Sequence, residues 1–213
     1  MGIIKRGILG GFSGKVANVV GTSWKGRAVM KSLPLSVANP NTAGQIEVRG
    51  AFSFLVKFAS TILSALIVPL MNRFAGNVSG YNYFTSRNFV NFTQSGLDQP
   101  ANLNFGTGKL GDTQITSASA DASTDIVEFT WGTTNNNAYK QATDEAYFLI
   151  INLDTSAIID QGDTGSIRSD GIIAVGGVTG MSIGQTIACY LIFLRADGTE
   201  VGNTAYLSTT VVA

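Results

Sequence analysis

The hydrophobic pattern of this 213-residue chain changes its period once, and that change limits the folds open to it. From about residue 114 onward, apolar side chains fall in short runs or on alternate positions, which is typical of strands. Earlier in the chain, between residues 46 and 66, they recur every three to four residues, which is typical of a helix, at Ile46, Phe52, Leu55, Val56, Ala59, Ile62, Leu63 and Leu66. The order predicts an α+β fold in which a helical segment precedes an antiparallel β region.

The longest apolar stretch runs from Gly50 to Met71 and contains Lys57 and Pro69. A lysine inside the stretch is costly in a bilayer, so a membrane span is not favoured. The segment Asn39–Thr42 predicts a turn and a cap before the helix, and Pro69 is expected to stop or kink it. We therefore predict a long apolar helix that is buried in the protein or in an assembly.

The segment before the helix is punctuated by glycine, and the short apolar pieces Val16–Val20 and Arg27–Met30 between the glycines are predicted to be strands. Strands this short do not persist alone. We expect this glycine-rich β arm to add to a sheet edge of the same or an adjacent subunit, where backbone hydrogen bonds offset the ordering entropy.

The second half of the chain predicts about seven short strands separated by turn residues, as in an antiparallel sandwich of immunoglobulin or fibronectin type. A hairpin across Asp197-Gly198 is the strongest local signal. Trp131 and Cys189 are expected in its core. The clearest strands are Ile126–Trp131, Tyr147–Ile151, Ile172–Val175, Ile187–Leu194 and Val201–Val211. We divide the chain into an arm and helical assembly region at 1–100, which includes a short helix over Tyr81–Phe92, and a sandwich at 101–213.

Charge is distributed unevenly between these two regions. Residues 1–100 carry ten basic and two acidic side chains, and residues 101–213 carry four basic and twelve acidic ones, so formal charges of +8 and −8 cancel. A charged fraction of 13% and a mean hydropathy of +0.22 are unusual for a free monomer. We expect the basic part of one copy to meet the acidic part of another. Nucleic acid is a second partner for the basic part, but it is not favoured, because the charges are dispersed and the pI is about 6.2.

Motifs that would indicate catalysis are incomplete. The G-x-S-x-G match at Gly180–Gly184 needs a general base, and the sequence has no histidine. The glycine patterns at Gly106–Gly111 and Gly10–Lys15 lack the strand, helix or hydroxyl that a phosphate site requires. Four aspartates between Asp154 and Asp170 do not follow the calcium-loop spacing, and Asp144-Glu145 is interpreted as an ordinary loop pair. No catalytic, cofactor-binding or metal residue is predicted, and the protein is not expected to be an enzyme.

The opening of the chain resembles an uncharacterised family of similar length found in Bacteroidota and their phages. The resemblance rests on Gly7–Gly21, Trp24-Lys25-Gly26, and Asn39–Thr42 with Gln45, Arg49 and Phe52. It extends through the Trp131 strand to the hairpin near Asp197. The chain departs from the family in carrying Ala43-Gly44 where a proline-containing helix start is expected. Because the family has no assigned activity, the resemblance implies an origin and transfers no functional residues.

These features predict a non-catalytic, self-assembling structural subunit, such as a shell, decoration or tail protein of a phage virion. The alternative is a carbohydrate- or receptor-binding module, which would need Tyr139, Tyr147 or Trp131 on an open face. The start has no signal-peptide pattern, so we expect synthesis in the cytoplasm and a virion or extracellular location after lysis. No cofactor is expected. The expected main partner is another copy of the chain, and other virion proteins are a second class of partner. The expected assembly residues are Gly10, Gly11, Phe12, Trp24, Lys25, Arg27, Lys31, Phe52 and Phe58.

Overall fold

The computed structural model describes residues 2–3, 12–36, 39–134 and 137–213. It divides into two compact units, Met1–Thr42 and Ala43–Ala213. Gly10 and Gly11, two of the expected assembly residues, lie outside the described residues.

The first unit is a four-stranded antiparallel sheet. Its strands are β1 (Gly2–Ile3), β2 (Gly14–Val16), β3 (Val19–Trp24) and β4 (Arg27–Ser32), in the order β1-β4-β3-β2. The predicted single strand Val16–Val20 is instead a hairpin, because Ala17 has a positive φ of 49° and turns the chain between β2 and β3. The first strand of the arm pairs with β4 of the same chain.

The second unit begins with helices. These are α1 (Ala43–Thr61), a π-helical turn (Leu63–Ile67), α2 (Val68–Met71), a 3₁₀ turn (Asn72–Phe74) and α3 (Gly80–Asn88). The single long apolar helix of the sequence analysis is not formed. The chain bends by 67° between Ala43–Thr61 and Leu63–Phe74, before Pro69 is reached. The amide of Ile67 bonds the carbonyl of Ile62 at 3.2 Å, and Pro69, which has no N–H, follows in the first turn of α2.

The outward side of α1 also differs from the prediction. Ile46 and Phe52 share the apolar periodicity that predicts burial in the protein or in an assembly, and both are more than half exposed, whereas Leu55 and Ala59 are buried. Among the described residues, no single helix is long and apolar enough to span a membrane, although the bent pair meets the length and composition test when taken together.

The second unit continues into a curled seven-stranded sheet. The strands of this sheet run in the order β10-β9-β12-β13-β7-β8-β11. The short strands β5 (Phe92–Thr93) and β6 (Gly96–Leu97) form a separate antiparallel pair. All neighbours are antiparallel except β13 and β7, which pair in parallel at Val211↔Ala120 and Val212↔Asp121. The bounds are β7 Ile115–Asp121, β8 Ile126–Trp131, β9 Glu145–Asn152, β10 Ala157–Ile167, β11 Ile172–Gly176, β12 Thr186–Leu194 and β13 Ala205–Val212. The hairpin across Asp197-Gly198 is confirmed as β12 and β13.

Two apolar cores lie on opposite faces of β9 and β12. On one face, Tyr147, Leu149 and Tyr190 pack with the helices, in a cluster that includes Leu55 and Phe58. On the other face the sheet curls over itself, so that the Trp131 ring lies 5.6 Å from that of Phe193 between non-neighbouring strands. Burial on both faces explains why these two strands are apolar almost throughout. Trp131 and Cys189 are buried in the second core, as predicted.

The division of the structure falls between Thr42 and Ala43, whereas the sequence pattern predicts one at residue 100. The helices belong with the sheet because they share a core with it. An aromatic series connects them, with ring centroids 5.4 Å apart for Phe84 and Phe105 and 6.0 Å apart for Phe105 and Tyr190.

Candidate functional site

The register of the first sheet places its basic side chains on one face. Paired residues of antiparallel strands point to the same side, and Lys15 pairs with Val20, which pairs with Lys31. Trp24, four residues after Val20 on β3, shares that side and pairs with Arg27. We call this the basic face: Lys15, Trp24, Arg27 and Lys31, with Lys25 in the turn at its end. All five side chains are exposed.

The turn at the end of the basic face holds Trp24 outward. Lys25 and Gly26 have φ values of 48° and 75°, the two positive φ angles that a tight hairpin turn requires. The Lys25 Nζ lies 5.1 Å from the centroid of the Trp24 ring, within the range of a cation–π contact. Trp24 remains 59% exposed. The turn therefore presents an aromatic surface with Lys25 next to it in the sequence and Arg27 paired with it on β4.

The basic face lies in a unit without acidic residues. Residues 1–42 contain six Lys or Arg and no Asp or Glu, whereas residues 43–213 contain eight basic and fourteen acidic residues. The units therefore carry +6 and −6, a sharper separation than the one drawn at residue 100. Among the described residues, no ion pair involves a side chain of the basic face.

On the opposite face of this sheet, Phe12 packs against Gly21. Its ring and carbonyl oxygen lie against Gly21, where an added Cβ would be 2.3 Å from the Phe12 oxygen. Phe12 is half-buried as a result. Of residues 12–36, only Gly21 and Val29 are buried. The described part of the first unit, over residues 12–36, thus contributes almost no core.

The two α1 phenylalanines expected at an assembly surface differ in position. Phe52 is 53% exposed, with its ring centroid 6.3 Å from that of Phe89. Phe58 is only 4% exposed, because it points into the helix–sheet core against Phe84 and Phe92. The expectation that Phe58 is a surface residue is therefore corrected, while Phe52 is available on the surface.

A buried ion pair lies at one end of the curled sheet. Arg168 Nε is 2.9 Å from Asp144 Oδ2, and its Nη1 donates to Thr113 Oγ1 at 2.7 Å. The guanidinium also lies 4.0 Å from the centroid of the Phe193 ring. Burial lowers the pKa of Arg168, and the Asp144 carboxylate opposes that shift. The interpretation of Asp144 as an ordinary loop residue is wrong, because it is fully buried by this pair.

Two open clefts adjoin this ion pair and share Asp112, Thr113 and Gln114. The larger, of about 420 Å³, also reaches Tyr206, and the smaller, of about 350 Å³, reaches Lys140. Burial, and then the charge of Arg168, lower the pKa of Lys140. The clefts offer hydrogen-bonding groups to a polar molecule. The Thr113 hydroxyl accepts a hydrogen bond from a guanidinium rather than donating to a base, so the geometry does not activate it as a nucleophile.

The remaining motifs lie in turns. Ser182 of the G-x-S-x-G match is exposed between β11 and β12, and its backbone N–H donates to Gln185 Oε1 at 2.9 Å. Burial raises the pKa of the Cys189 thiol to about 12, which suppresses its reactivity. Asp163 and Asp170 each accept a backbone N–H bond at 2.8 Å. Across the described ranges, no three His, Cys, Asp or Glu side chains form a group that could hold a metal ion.

Comparison with known proteins identifies the family. The model of a family of unknown function, DUF6266, matches residues 11–208, so the chain belongs to that family. No curated protein matches the sequence. The crystal structure of CopC from Methylosinus trichosporium OB3b is similar at 14% identity and a TM-score of 0.30, covering 49% of this chain and 93% of that one. A likeness at that level carries no inference about fold or function.

Proposed function

We propose that this DUF6266 member is a non-catalytic structural subunit that assembles with copies of itself. The observation that supports the proposal is the sheet of the first unit, which has regular strand pairing but only two buried residues among 12–36. A small sheet needs a hydrophobic face packed on something to be stable in water. In an assembly, a neighbouring copy supplies that cover.

Exposed apolar side chains on both units support the same proposal. The first unit exposes Val16, Trp24 and Met30, and the second exposes Phe52 and Val90. Single exposed apolar residues are common, but the first unit combines several of them with only two buried residues among 12–36. Burying about 100 Å² of this apolar surface would contribute about 2.5 kcal/mol. Contacts between copies can therefore stabilise a sheet that buries so few of its described residues.

Within this class we propose a component of a phage virion, as a shell, decoration or tail protein. The support is the pairing of oppositely charged units in a neutral chain, together with the resemblance of its glycine-rich opening to phage and Bacteroidota sequences. Lysis would release such a protein without an export route. Purification of virions from a host lysate, followed by mass spectrometry, tests this assignment. Absence of the protein from purified particles would refute it.

We further propose that the curled sheet is an immunoglobulin-like sandwich. Strands β10, β9, β12 and β13 correspond to a four-stranded group, and β7, β8 and β11 to a three-stranded group, with the order expected of such a fold. The core between the two groups, including Phe129 with Phe148 at 6.4 Å, supports this reading. An experimental structure in which the two groups do not face each other would refute it.

The carbohydrate- or receptor-binding alternative gains no specific support. It required an aromatic platform on an open face, and both Trp131 and Tyr147 are buried. Tyr139 is exposed, but it lies 5.5 Å from Lys109 Nζ in a cation–π contact. The aromatic residues considered for this role therefore do not form a shared stacking surface.

Self-assembly is tested directly with the purified full chain. Sedimentation velocity and light scattering should show concentration-dependent association, and negative-stain electron microscopy should show regular shells, tubes or filaments. Phe52→Ala should weaken association without unfolding the protein, because Phe52 is exposed. Val212→Ala, at an exposed position on β13, is the matched control. A stable monomer of the wild type at high concentration would overturn the proposed function.

A further inference from the structure

We infer that strand β11 of one copy pairs with β11 of a second copy across a two-fold axis. The inference rests on the self-assembly proposed above and names a surface that joins two copies. Strand β11 is the last strand of the seven-stranded sheet and pairs with β8 on its inner side. Over the described ranges, no hydrogen bond joins its outer edge to another group. This edge is therefore open to a further strand.

The backbone groups at alternate positions of β11 face away from β8. The Trp131 N–H donates to the Gly171 carbonyl at 2.9 Å. Because hydrogen-bonded and non-hydrogen-bonded pairs alternate along an antiparallel ladder, every second residue after Gly171 bonds β8. The N–H and C=O groups of the residues between them point outward, at Ile172, Ala174 and Gly176. All three residues are exposed, and the exposed surface of Gly176 is the backbone itself.

The outer edge of β11 lacks the features that usually protect an edge strand. Exposed edges are commonly blocked by charged side chains, proline or bulges. The opposite edge of the sheet, β10, has two interruptions of register and carries Asp160 and Asp163. Strand β11 contains no charged residue and no proline, and its register with β8 is continuous from Ile172 to Gly176. Addition of a strand is thus disfavoured at β10 and unobstructed at β11.

A second copy of β11 matches this edge in length and regularity. Among the described edge strands, β1 and β2 have two and three residues, and β10 is irregular. Antiparallel pairing about the centre of β11 places Ala174 opposite itself and Ile172 opposite Gly176 of the second copy. The three outward N–H groups of each copy then meet the three outward C=O groups of the other, so six backbone hydrogen bonds form. Every outward group of both strands is satisfied.

The side chains fit the same arrangement. Residues opposite each other in an antiparallel pair point to the same face of the sheet. Ile172 is 44% exposed, and a Cβ added at Gly176 would meet nothing within 4 Å. Each Ile172 therefore covers the open space beside Gly176 of the other copy. Glu128, the charged residue of β8 on that face, lies three strand spacings or about 14 Å from its copy, which exceeds the Debye length of about 8 Å at 0.15 M salt.

The first test measures association of the full chain by sedimentation velocity. Ala174→Pro removes the central outward N–H without removing a bond to β8, and Ala174→Lys brings two like charges together across the axis. Each variant should raise the dissociation constant of the dimer about tenfold or more. Ser119→Lys is the matched control, because Ser119 is exposed on the same face but lies two strands further from the edge. It should associate as the wild type does.

A crosslinking experiment detects the contact itself. Ala174→Cys places two thiols opposite each other, with Cβ atoms about 5.5 Å apart, where a short bifunctional reagent such as dibromobimane joins them. Ser119→Cys is the control, since its thiols are five strand spacings or about 24 Å apart in the same dimer. Cys189 is buried and its pKa is raised, so it does not compete for the reagent. Crosslinked dimer is expected from Ala174→Cys and not from Ser119→Cys.

The outcomes separate this inference from the proposed function. Wild-type protein that stays monomeric contradicts self-assembly itself. Wild-type association together with equal association of Ala174→Pro, folded by circular dichroism, overturns the β11 contact and leaves self-assembly standing. Weakened association without crosslinking of Ala174→Cys shows that another strand, such as β2 of a neighbouring copy, occupies the edge, and it overturns the two-fold pairing. If Ala174→Pro does not fold, Ala174→Lys and the crosslinking decide.

Discussion

The Nε of Arg168 lies 2.9 Å from Oδ2 of Asp144, with both side chains at most 1% exposed. The backbones of the same two residues are also joined, because the Arg168 N–H donates to the Asp144 carbonyl at 2.8 Å. Trp131 adds a third connection by donating its indole N–H to the Arg168 carbonyl at 2.9 Å. The pair therefore connects the loop before β9, the end of β10 and strand β8.

Removing one member of this pair should strongly destabilise the protein. Asp144→Ala leaves the Arg168 charge buried without its carboxylate, which typically costs about 3–5 kcal/mol. Urea denaturation followed by tryptophan fluorescence measures the change in the free energy of unfolding. Asp98→Asn is the matched control, since Asp98 is exposed, and its effect should stay within about 0.5 kcal/mol.

Replacing both members should be less harmful than replacing one. In the double variant Asp144→Leu and Arg168→Met, no buried charge remains, and apolar replacements of a buried pair are often close to neutral. We expect the double variant to be more stable than Asp144→Ala by about 2 kcal/mol or more. A double variant as unstable as Asp144→Ala would show that the bond to Thr113, rather than the charge pair, dominates.

Truncation of the two phenylalanines on α1 should reduce stability by very different amounts. Phe58→Ala removes a ring from the helix–sheet core and should cost about 3–5 kcal/mol of stability. Phe52→Ala should change stability by no more than about 0.5–1 kcal/mol, because Phe52 is largely exposed. Thermal or urea denaturation of the two variants under one set of conditions provides the comparison. A large loss from Phe52→Ala would contradict the placement of that side chain on the surface.

The local sequence pattern was sufficient to predict the strands, but it was not sufficient to predict contacts between segments that are distant in the chain. Strand Ile126–Trp131 and the hairpin across Asp197-Gly198 were predicted because alternation and turn residues act over a few positions. The Asp144–Arg168 pair was missed because its members are 24 residues apart. The isolated Arg168 in an otherwise acidic segment was the available signal. An unaccompanied cation there needs a carboxylate partner, although the sequence does not say which one.

The prediction for the helical region differs from the structure for a related physical reason. Periodicity records which side chains are apolar but not how far the sheet extends to cover them, so it does not distinguish the exposed Ile46 and Phe52 from the buried Leu55. The pattern changes near residue 100 and therefore predicts a boundary there, whereas compact units are defined by shared packing. In the candidate site, the strand register is what places the cations on one face. That register could not be predicted from the sequence, because glycine interrupts the short strands of the arm.

Adding a methyl group at Gly21 should displace Phe12. The new Cβ would lie 2.3 Å from the Phe12 carbonyl oxygen, so the backbone on one side of the sheet must move. We expect Gly21→Ala to open the first unit and to increase trypsin cleavage after Lys15 and Lys31 several-fold. Gly44→Ala, where an added Cβ meets nothing within 4 Å, is the control and should leave the cleavage rate unchanged. Equal cleavage rates for the two variants would contradict the packing of Phe12 on Gly21.

The stability of the protein at low pH should depend on hydrogen bonds to two aspartates, Asp197 and Asp121. The Thr199 hydroxyl donates to Asp197 Oδ1 at 2.5 Å and the Thr199 N–H at 2.8 Å, and these bonds lower the pKa of Asp197. The Ser123 hydroxyl and N–H lower the pKa of Asp121 in the same way. Because each pKa is lower in the folded state, the stabilisation is present above the unfolded pKa of about 3.9 and is lost as the pH falls through the folded value.

Thr199→Val removes the hydroxyl bond, so the pKa of Asp197 should rise toward its ordinary value while that of Asp121 stays unchanged. Ser123→Ala should do the reverse, which makes each variant the control for the other. Carboxyl-carbon NMR titration measures both values in each variant. The stability difference between the wild type and Thr199→Val should shrink as the pH is lowered from about 5 to about 2, because protonation then removes the carboxylate acceptor in both proteins. A difference that grows toward low pH would contradict the sign of the shift.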